Sequence, residues 1–148
     1  MRTVIQRVTE ASVAVDGHVV SSIGPGLLVL LAVQKGDTEV EAVWLARRLP
    51  LLRIFADAGG RMNLSLGDIQ GEILVVSQFT LAADLARGRR PSFESAAPPG
   101  KARALYDRVI SELSAGDTPV RTGLFGAMMK ISLVNDGPVT FVLEKTHA

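Results

Sequence analysis

The sequence predicts one α+β domain built on a mostly antiparallel sheet or barrel with two main helices. Several short runs are typical of β-strands, only two stretches have helical spacing, and strand and helix do not alternate strictly along the chain. A length of 148 residues fits a single domain. No repeat, low-complexity tract or linker divides the chain, so we interpret residues 1–148 as one domain.

Three strand-like runs open the chain. Arg2 to Val8 mixes β-branched and polar residues, as a half-buried strand does. Ala11 to Val15 and His18 to Ile23 form two more runs, and the Asp16-Gly17 pair between them is typical of a tight hairpin. The apolar run from Leu27 to Val33 then predicts a strand that is buried on both faces.

The first helix is predicted by its capping signal. Thr38 and Glu41 match a capping box, and Pro50 ends the helical stretch. We expect its apolar face to consist of Val40, Val43, Trp44 and Ala46. Beyond the helix we expect a short strand from Leu51 to Phe55 and an irregular segment from Arg61 to Gln70.

A core strand, a long loop and a second helix follow. We expect the strand from Ile73 to Phe79 and the loop from Ala82 to Pro99, a length that is usual for functional or mobile loops. The second helix is predicted by apolar residues at helical spacing, with Gly116 as its C-cap: Ala102, Leu105, Tyr106, Val109, Ile110 and Leu113. Val120 to Thr122 predicts a further short strand.

The segment Asn135–Phe141 has apolar alternation on both sides, which predicts the bend of a last hairpin. Its Gly137-Pro138 pair is unusual, because proline removes a backbone donor and admits a cis peptide bond. Such a pair at a bend exposes two peptide carbonyls that no side chain covers. From these residues alone, a structural turn is the favoured interpretation.

Composition restricts the classes of protein. Hydrophobic residues make up 47% and charged residues 21%, the balance of a globular domain. The absence of cysteine excludes disulfides, a thiol nucleophile and a cysteine-based zinc site. Gln6 and Arg7 interrupt the apolar residues that a signal peptide would need, and no apolar run is long enough to cross a membrane. We therefore expect a soluble, cytoplasmic protein.

Basic residues are concentrated around the long loop, although the net charge is only +1. They would suit phosphate groups, but a solvated loop is the favoured interpretation. The cluster consists of Arg87, Arg89, Arg90, Lys101 and Arg103.

The usual catalytic patterns are missing. His18 follows a turn and His147 is next to the C-terminus, so we expect both at the surface rather than in catalysis. Without a suitable His or any Cys, Ser-His-Asp and Cys-His arrangements have little support. The sequence shows no metal-ligand spacing, no GxGxxG and no P-loop, so we predict neither a metal nor a cofactor.

Ser77, Gln78, Phe79 and Thr80 remain as the polar residues at a strand end. Backbone N–H groups, a hydroxyl and an amide at such a place suit oxyanion stabilisation without a strong base. Nothing in the sequence marks a base that would activate Thr80 as a nucleophile. Taken alone, these residues are interpreted as structural.

Two motifs in this order resemble those of the D-aminoacyl-tRNA deacylase family: Ser77-Gln78-Phe79-Thr80-Leu81 and Asn135-Asp136-Gly137-Pro138-Val139-Thr140. Shorter fragments are similar as well, namely Met1–Val8, Ala11–Val13, Arg53–Phe55, Met62–Leu64, Arg90–Phe93 and Ala104–Tyr106. The resemblance covers essentially the whole chain, and the motif positions show no departure from the family pattern.

The resemblance implies a homodimer of barrel-like subunits with active sites at the interface. It implies hydrolysis of the ester between a D-amino acid and the 3′-terminal adenosine of tRNA, a proofreading step in translation quality control. It also implies removal of glycine mischarged onto tRNA. The family's chemistry is attributed to the 2′-hydroxyl of the RNA or to a threonine nucleophile, and the lack of a base for Thr80 favours the hydroxyl.

The resemblance also assigns roles by position. Ser77, Gln78, Phe79 and Thr80 line the aminoacyl pocket, and their backbone and the Gln78 side chain hold the ester. Phe125 and Met129 help to build the adenosine side. Gly137-Pro138 is expected to be cis and to reach into the partner's pocket, where its carbonyls bind the substrate α-amino group and its backbone rejects the side chain of an L-amino acid.

Two alternatives from other classes stay open. One is a non-catalytic tRNA- or nucleic-acid-binding module that uses the basic cluster and shows salt-dependent binding without turnover. The other is a hydrolase of small D-amino acid esters or amides that acts without RNA.

Overall fold

A computed structural model of the protein describes residues 1–146. The strands are β1 (Arg2–Val15), β2 (His18–Ile23), β3 (Gly26–Ala32), β4 (Phe55–Ala56), β5 (Met62–Leu64), β6 (Glu72–Ser77), β7 (Val120–Thr122) and β8 (Lys130–Glu144). The helices are α1 (Glu39–Arg48) and α2 (Pro99–Ser114), with short 3-10 helices at Leu49–Leu51 and Phe79–Ala82. No helix in this part of the chain is long and apolar enough to cross a bilayer.

The main sheet has six strands arranged around β1. β1 pairs antiparallel with β8 on one side and with β3 and then β2 on the other. β6 pairs parallel with β3, and β7 pairs parallel with β6. Because β2 and β7 also contact each other, the sheet curves towards a closed barrel. The predicted α+β domain with a barrel-like sheet and two helices is confirmed, although the sheet is mixed.

β1 is a single strand of 14 residues, whereas the sequence predicted two shorter ones. The predicted hairpin to β2 is confirmed: Val15 pairs with His18, and Asp16 and Gly17 have φ values of 50° and 78°. Such positive φ values at both central residues match the twist of the flanking strands. Because β1 is long, its first half pairs with β3 and its second half pairs with β2 along the same edge.

The predicted hairpin around Asn135–Phe141 is wrong. Residues 130–144 form one strand, and both halves of it pair with β1. Gln6 pairs with Thr140 and Val8 with Asn135, so residues 136–139 form a bulge opposite a single residue of β1. The strands predicted on both sides of the bulge are present, but each pairs with the distant strand β1 and not with the other.

α1 begins as predicted, with both hydrogen bonds of the Thr38–Glu41 capping box present. The predicted apolar face is wrong in part, because Val40 is 65% exposed while Ala42, Leu45 and Ala46 are buried. The buried residues share one helix face, which packs in the core with α2.

The second helix buries most of its predicted face, namely Leu105, Tyr106, Val109 and Leu113. Tyr106 Oη donates a hydrogen bond to the Val75 carbonyl at 3.0 Å, which ties α2 to β6. Burial, together with the neighbouring Asp107 charge, raises the pKa of Tyr106 to about 12. The C-cap is Ala115 rather than Gly116.

Three short segments differ from their predictions. Pro50 lies in a 3-10 turn, so the strand expected from Leu51 is only Phe55–Ala56. Part of the segment expected to be irregular, Met62–Leu64, pairs with that strand. β6 ends at Ser77, and Phe79 begins a 3-10 helix instead of ending the strand. The predicted strand β7 is confirmed.

Candidate active site

The carboxyl ends of the three parallel strands lie at one edge of the sheet. Leu31 pairs with Ser77, and Val75 pairs with Thr122. The residues that follow β6 and β7, Gln78–Thr80 and Gly123–Met129, therefore leave the sheet at the same edge. This edge contains the strand-end residues that the sequence singled out.

The turn after β6 presents backbone donors. Gln78 N donates to the Leu31 carbonyl at 2.7 Å, and Leu81 N donates to the Gln78 carbonyl at 3.2 Å. The first N–H groups of a helix have no partner inside it. Within residues 1–146, no acceptor receives a hydrogen bond from the N–H of Phe79 or Thr80. Two adjacent N–H groups are thus available to an oxyanion.

The Thr80 hydroxyl is exposed and has an amide as its partner. Gln78 Nε2 donates to Thr80 Oγ1 at 2.6 Å, a contact that takes no proton from the hydroxyl. A charged group, Arg2, contacts this turn: it donates to the Leu81 carbonyl at 2.9 Å and pairs with Glu144 at 3.2 Å. The two N–H groups suit a negatively charged oxygen, and within residues 1–146 no carboxylate or imidazole hydrogen-bonds to the Thr80 hydroxyl as a general base would.

An aromatic pair flanks this turn. The rings of Phe79 and Phe93 lie 5.2 Å apart at 59°, and both side chains are substantially exposed. Phe93 lies within the long loop after β6, so the contact joins this loop to the strand end. Ser77, the last residue of β6, is half-buried.

Phe125 and Met129 line the same edge from the side of β7. Phe125 packs against Tyr106 with ring centroids 5.6 Å apart, and the Arg103 guanidinium lies 5.4 Å from the centre of its ring. Met129 lies over Gly123. A Cβ added to Gly123 would be only 2.7 Å from the Met129 sulfur. Glycine at position 123 therefore lets Met129 approach the sheet.

The Gly137–Pro138 peptide bond is cis, as expected from the resemblance. Asn135 Nδ2 donates to the carbonyls of Arg7 and Val139, each at 3.0 Å, and so closes the base of the bulge.

Arg7 holds the bulge from β1. Its Nε donates to the Asp136 carbonyl at 3.0 Å and pairs with the Asp136 carboxylate at 3.2 Å. Its Nη1 donates to the Ile54 carbonyl at 2.8 Å, and only 13% of the Arg7 side chain is exposed. Sequence reasoning missed this role; the only available signal was a charged residue within a half-buried strand.

The strand end and the bulge are far apart within one chain. Ser77 is level with Thr3 through Leu31, whereas the bulge lies opposite Arg7. Four residues of strand span roughly 13 Å, and the three strand spacings from β8 to β6 add roughly 14 Å across the sheet. The register therefore does not bring the two motifs together in a single chain.

The residues of the basic cluster have different surroundings. Arg87, Arg89 and Arg90 are exposed, while Lys101 donates to the Lys35 carbonyl and Arg103 pairs with Asp107. His18 is exposed on β2, as predicted, and His147 lies outside the described residues. Residues 1–146 contain no cluster of three or more acidic or histidine side chains that would hold a metal.

Comparison with known proteins gives consistent matches. A model of the family described as D-Tyr-tRNA(Tyr) deacylase matches residues 4–144. The D-aminoacyl-tRNA deacylase of Geobacter sulfurreducens is 57% identical over 144 residues, which cover 97% of this chain and 95% of that protein. The D-aminoacyl-tRNA deacylase of Thermomicrobium roseum is 57% identical over 147 residues, covering 99% and 96%.

Solved structures share the fold. The c-Myc DNA Unwinding Element Binding Protein superposes with a TM-score of 0.93 at 41% identity, covering 99% of this chain and 100% of that one. A probable eukaryotic D-amino acid tRNA deacylase superposes with a TM-score of 0.81 at 21% identity, covering 96% and 97%. Taken with the match over residues 4–144, these similarities show that the chain belongs to the D-Tyr-tRNA(Tyr) deacylase family.

Proposed function

We propose that this protein hydrolyses the ester bond of D-aminoacyl-tRNA and releases the free D-amino acid and tRNA. The observation that carries the proposal is 57% identity, over almost the whole chain, to proteins named for that activity. The turn after β6 supports the proposal. The substrate is an activated ester whose cleavage develops negative charge on the carbonyl oxygen, and the N–H groups of this turn are suited to bind that charge.

In the proposed mechanism, the Phe79 and Thr80 N–H groups bind the ester carbonyl oxygen as it becomes an oxyanion. Ser77 and Gln78 complete the aminoacyl pocket, with the Gln78 amide orienting the Thr80 hydroxyl at 2.6 Å. Positioning and charge stabilisation supply the rate enhancement. Water attacks the ester carbonyl carbon, the bond to the ribose 3′-oxygen breaks, and this oxygen leaves as a hydroxyl with a proton from the water. The ribose 2′-hydroxyl assists this step, since no base lies beside Thr80 within residues 1–146.

Phe125 and Met129 form the adenosine side of the pocket in this proposal. Phe125 offers a half-buried aromatic ring at the edge where β6 and β7 end. Met129 offers an adaptable apolar surface beside Gly123. A flat apolar wall of this kind suits the face of a nucleobase.

The protein acts as a homodimer in which Gly137–Pro138 of one subunit enters the aminoacyl pocket of the other. Two features support this arrangement: the two motifs are well separated within one chain, and β8 pairs with β1 alone among the described strands. The unpaired edge of β8 is available to a second copy. A homodimer with two-fold symmetry would complete both pockets at once.

In this arrangement, the backbone determines which enantiomer of the amino acid is accepted. The carbonyls of Gly137 and Pro138 accept hydrogen bonds from the α-amino group, and an L-side chain collides with the same backbone. A D-amino acid points its side chain away, and glycine has none, so glycine mischarged onto tRNA is also removed. We also propose a cytoplasmic location, where aminoacyl-tRNA is made and used.

A deacylation assay tests the function. Purified protein is expected to hydrolyse D-Tyr-tRNA and Gly-tRNA and to spare L-Tyr-tRNA. Equal rates on the two tyrosyl enantiomers would contradict the chiral claim. Equal turnover of D-tyrosine methyl ester and D-Tyr-tRNA would favour the RNA-independent hydrolase, and tRNA binding without turnover would favour the non-catalytic module.

A further inference from the structure

Three arginines project from a loop with a fixed base. Arg87, Arg89 and Arg90 lie between Asp84 and Ser92, and these two end residues exchange backbone hydrogen bonds of 2.8 and 3.0 Å. All three arginines are exposed. We refer to residues 84–92 as the arginine loop. Its base is held by main-chain contacts, so its basic side chains can be replaced without disturbing them.

The three guanidinium groups have no acidic partner within the described residues. By contrast, six other arginines form ion pairs: Arg2, Arg7, Arg47, Arg103, Arg108 and Arg121. Three unneutralised positive charges on neighbouring residues repel one another and attract an external polyanion. Because the net charge of the whole protein is only +1, we expect this attraction at the loop and not over the whole surface.

The arginine loop is joined to the candidate active site by aromatic rings. Phe93 follows the loop directly and contacts Phe79, which precedes Thr80. Phe79 is 57% exposed and Phe93 is 41% exposed. Exposed aromatic rings beside a positively charged track are the features with which proteins bind single-stranded nucleic acid, since bases stack on the rings and phosphates meet the cations.

We propose that the arginine loop and the Phe79–Phe93 pair bind the single-stranded 3′ end of the RNA, on the nucleotides that precede its terminal adenosine. The inference rests on the proposed function, because it takes the aminoacyl ester to lie at Ser77–Thr80. The rings stack on unpaired bases next to the ester, and Arg87, Arg89 and Arg90 bind the phosphates. A base-paired duplex would leave the rings unused, because its base faces are already stacked.

Binding of uncharged tRNA measures this surface without any need for hydrolysis. The triple variant Arg87→Ala/Arg89→Ala/Arg90→Ala is expected to weaken binding at least tenfold in low salt. The slope of log affinity against log salt concentration is expected to fall by about 2, because roughly three phosphate contacts are lost. Arg47→Ala/Arg48→Ala/Arg121→Ala removes the same number of exposed charges elsewhere and is expected to keep the slope.

The aromatic part is tested with Phe93→Leu, which keeps an apolar side chain but removes the ring. It is expected to weaken binding about tenfold for tRNA with an intact 3′ end, the size of one lost base-stacking contact. With tRNA trimmed of its unpaired 3′ nucleotides, the variant and the wild type are expected to bind equally.

An unchanged salt slope in the arginine-loop variant, or an equal change in the matched control, would overturn the inference. Duplex DNA bound as tightly as tRNA would overturn the choice of single-stranded RNA. Wild-type protein that binds tRNA with the expected slope but releases no D-tyrosine would leave this surface standing and refute the proposed function. Conversely, normal deacylation together with unchanged binding by the triple variant would refute this surface alone.

Discussion

The turn after β6 and the bulge in β8 both present backbone polar groups, but the surrounding residues hold the two segments very differently. Among the described residues, no acceptor meets the N–H groups of Phe79 and Thr80 in the turn, and the side chains of these two residues are exposed. The carbonyl-bearing bulge is clamped by Arg7 and Asn135 through several hydrogen bonds. A donor pair for an oxyanion needs only a helix start, whereas a surface that rejects one enantiomer must not move. The difference predicts which substitutions affect rate and which affect selectivity.

The largest effect is expected from removing one N–H of the turn. Phe79→Pro deletes that donor, and the Gln78 backbone at φ −142° and ψ 78° lies outside the α-helical region that a following proline disfavours. We expect kcat on D-Tyr-tRNA to fall about 10²–10³-fold, the usual cost of a lost oxyanion donor. Phe79→Ala keeps the N–H and should lose less than about tenfold in kcat at saturating tRNA. Equal losses in the two variants would remove the N–H from the mechanism.

Gly137→Ala should disturb the bulge itself. An added Cβ would lie 3.1 Å from Val139 N and would overlap the Asn135 side chain that closes the bulge. We expect kcat/KM on D-Tyr-tRNA to fall by at least about tenfold, because the carbonyls shift. Thermal unfolding should show that the variant still folds. Gly24→Ala, whose Cβ meets nothing within 4 Å, is the matched control; wild-type kinetics for Gly137→Ala would remove the bulge from the site.

Arg7→Met should affect selectivity more than rate. It removes charged hydrogen bonds to the Asp136 and Ile54 carbonyls, at a cost of about 2 kcal/mol in the free energy of unfolding. A looser bulge should hydrolyse L-Tyr-tRNA several times faster relative to D-Tyr-tRNA. Asp136→Asn keeps the backbone acceptor and loses only a half-exposed ion pair, worth within about 1 kcal/mol. An unchanged enantiomer ratio in Arg7→Met would show that the clamp is only structural.

The smallest effect is expected from Thr80→Val. The hydroxyl accepts a hydrogen bond from Gln78 and meets no base in the described part of the chain, so its loss should lower kcat by less than about tenfold. Single-turnover deacylation of D-Tyr-tRNA measures this directly. A loss of about 10⁴-fold or more would instead identify Thr80 as a nucleophile.

Local chemistry made part of this fold predictable. The Asp16-Gly17 turn and the Thr38 cap are decided by residues a few positions apart, and both were predicted correctly. The bulge was mistaken for a hairpin because its pairing partner, β1, lies far away in sequence.

The structural details that the sequence missed are also long-range. Arg7 and Asp136 meet across 129 positions, so no spacing rule finds that contact. The face of α1 depends on α2, which is why Val40 was wrongly expected in the core. The polar residues of the strand end were visible in sequence, but the free N–H groups follow from the 3-10 turn.

The most direct test of the account is a mixed dimer of Phe79→Pro and Gly137→Ala subunits, purified with two different tags. If the turn of one subunit and the bulge of the other build each pocket, one pocket receives both defects and the other receives none. The mixed dimer should then recover about half of the wild-type deacylation rate on D-Tyr-tRNA, because two-fold symmetry makes the pockets equivalent. Activity no higher than that of the two parent variants would contradict the shared site.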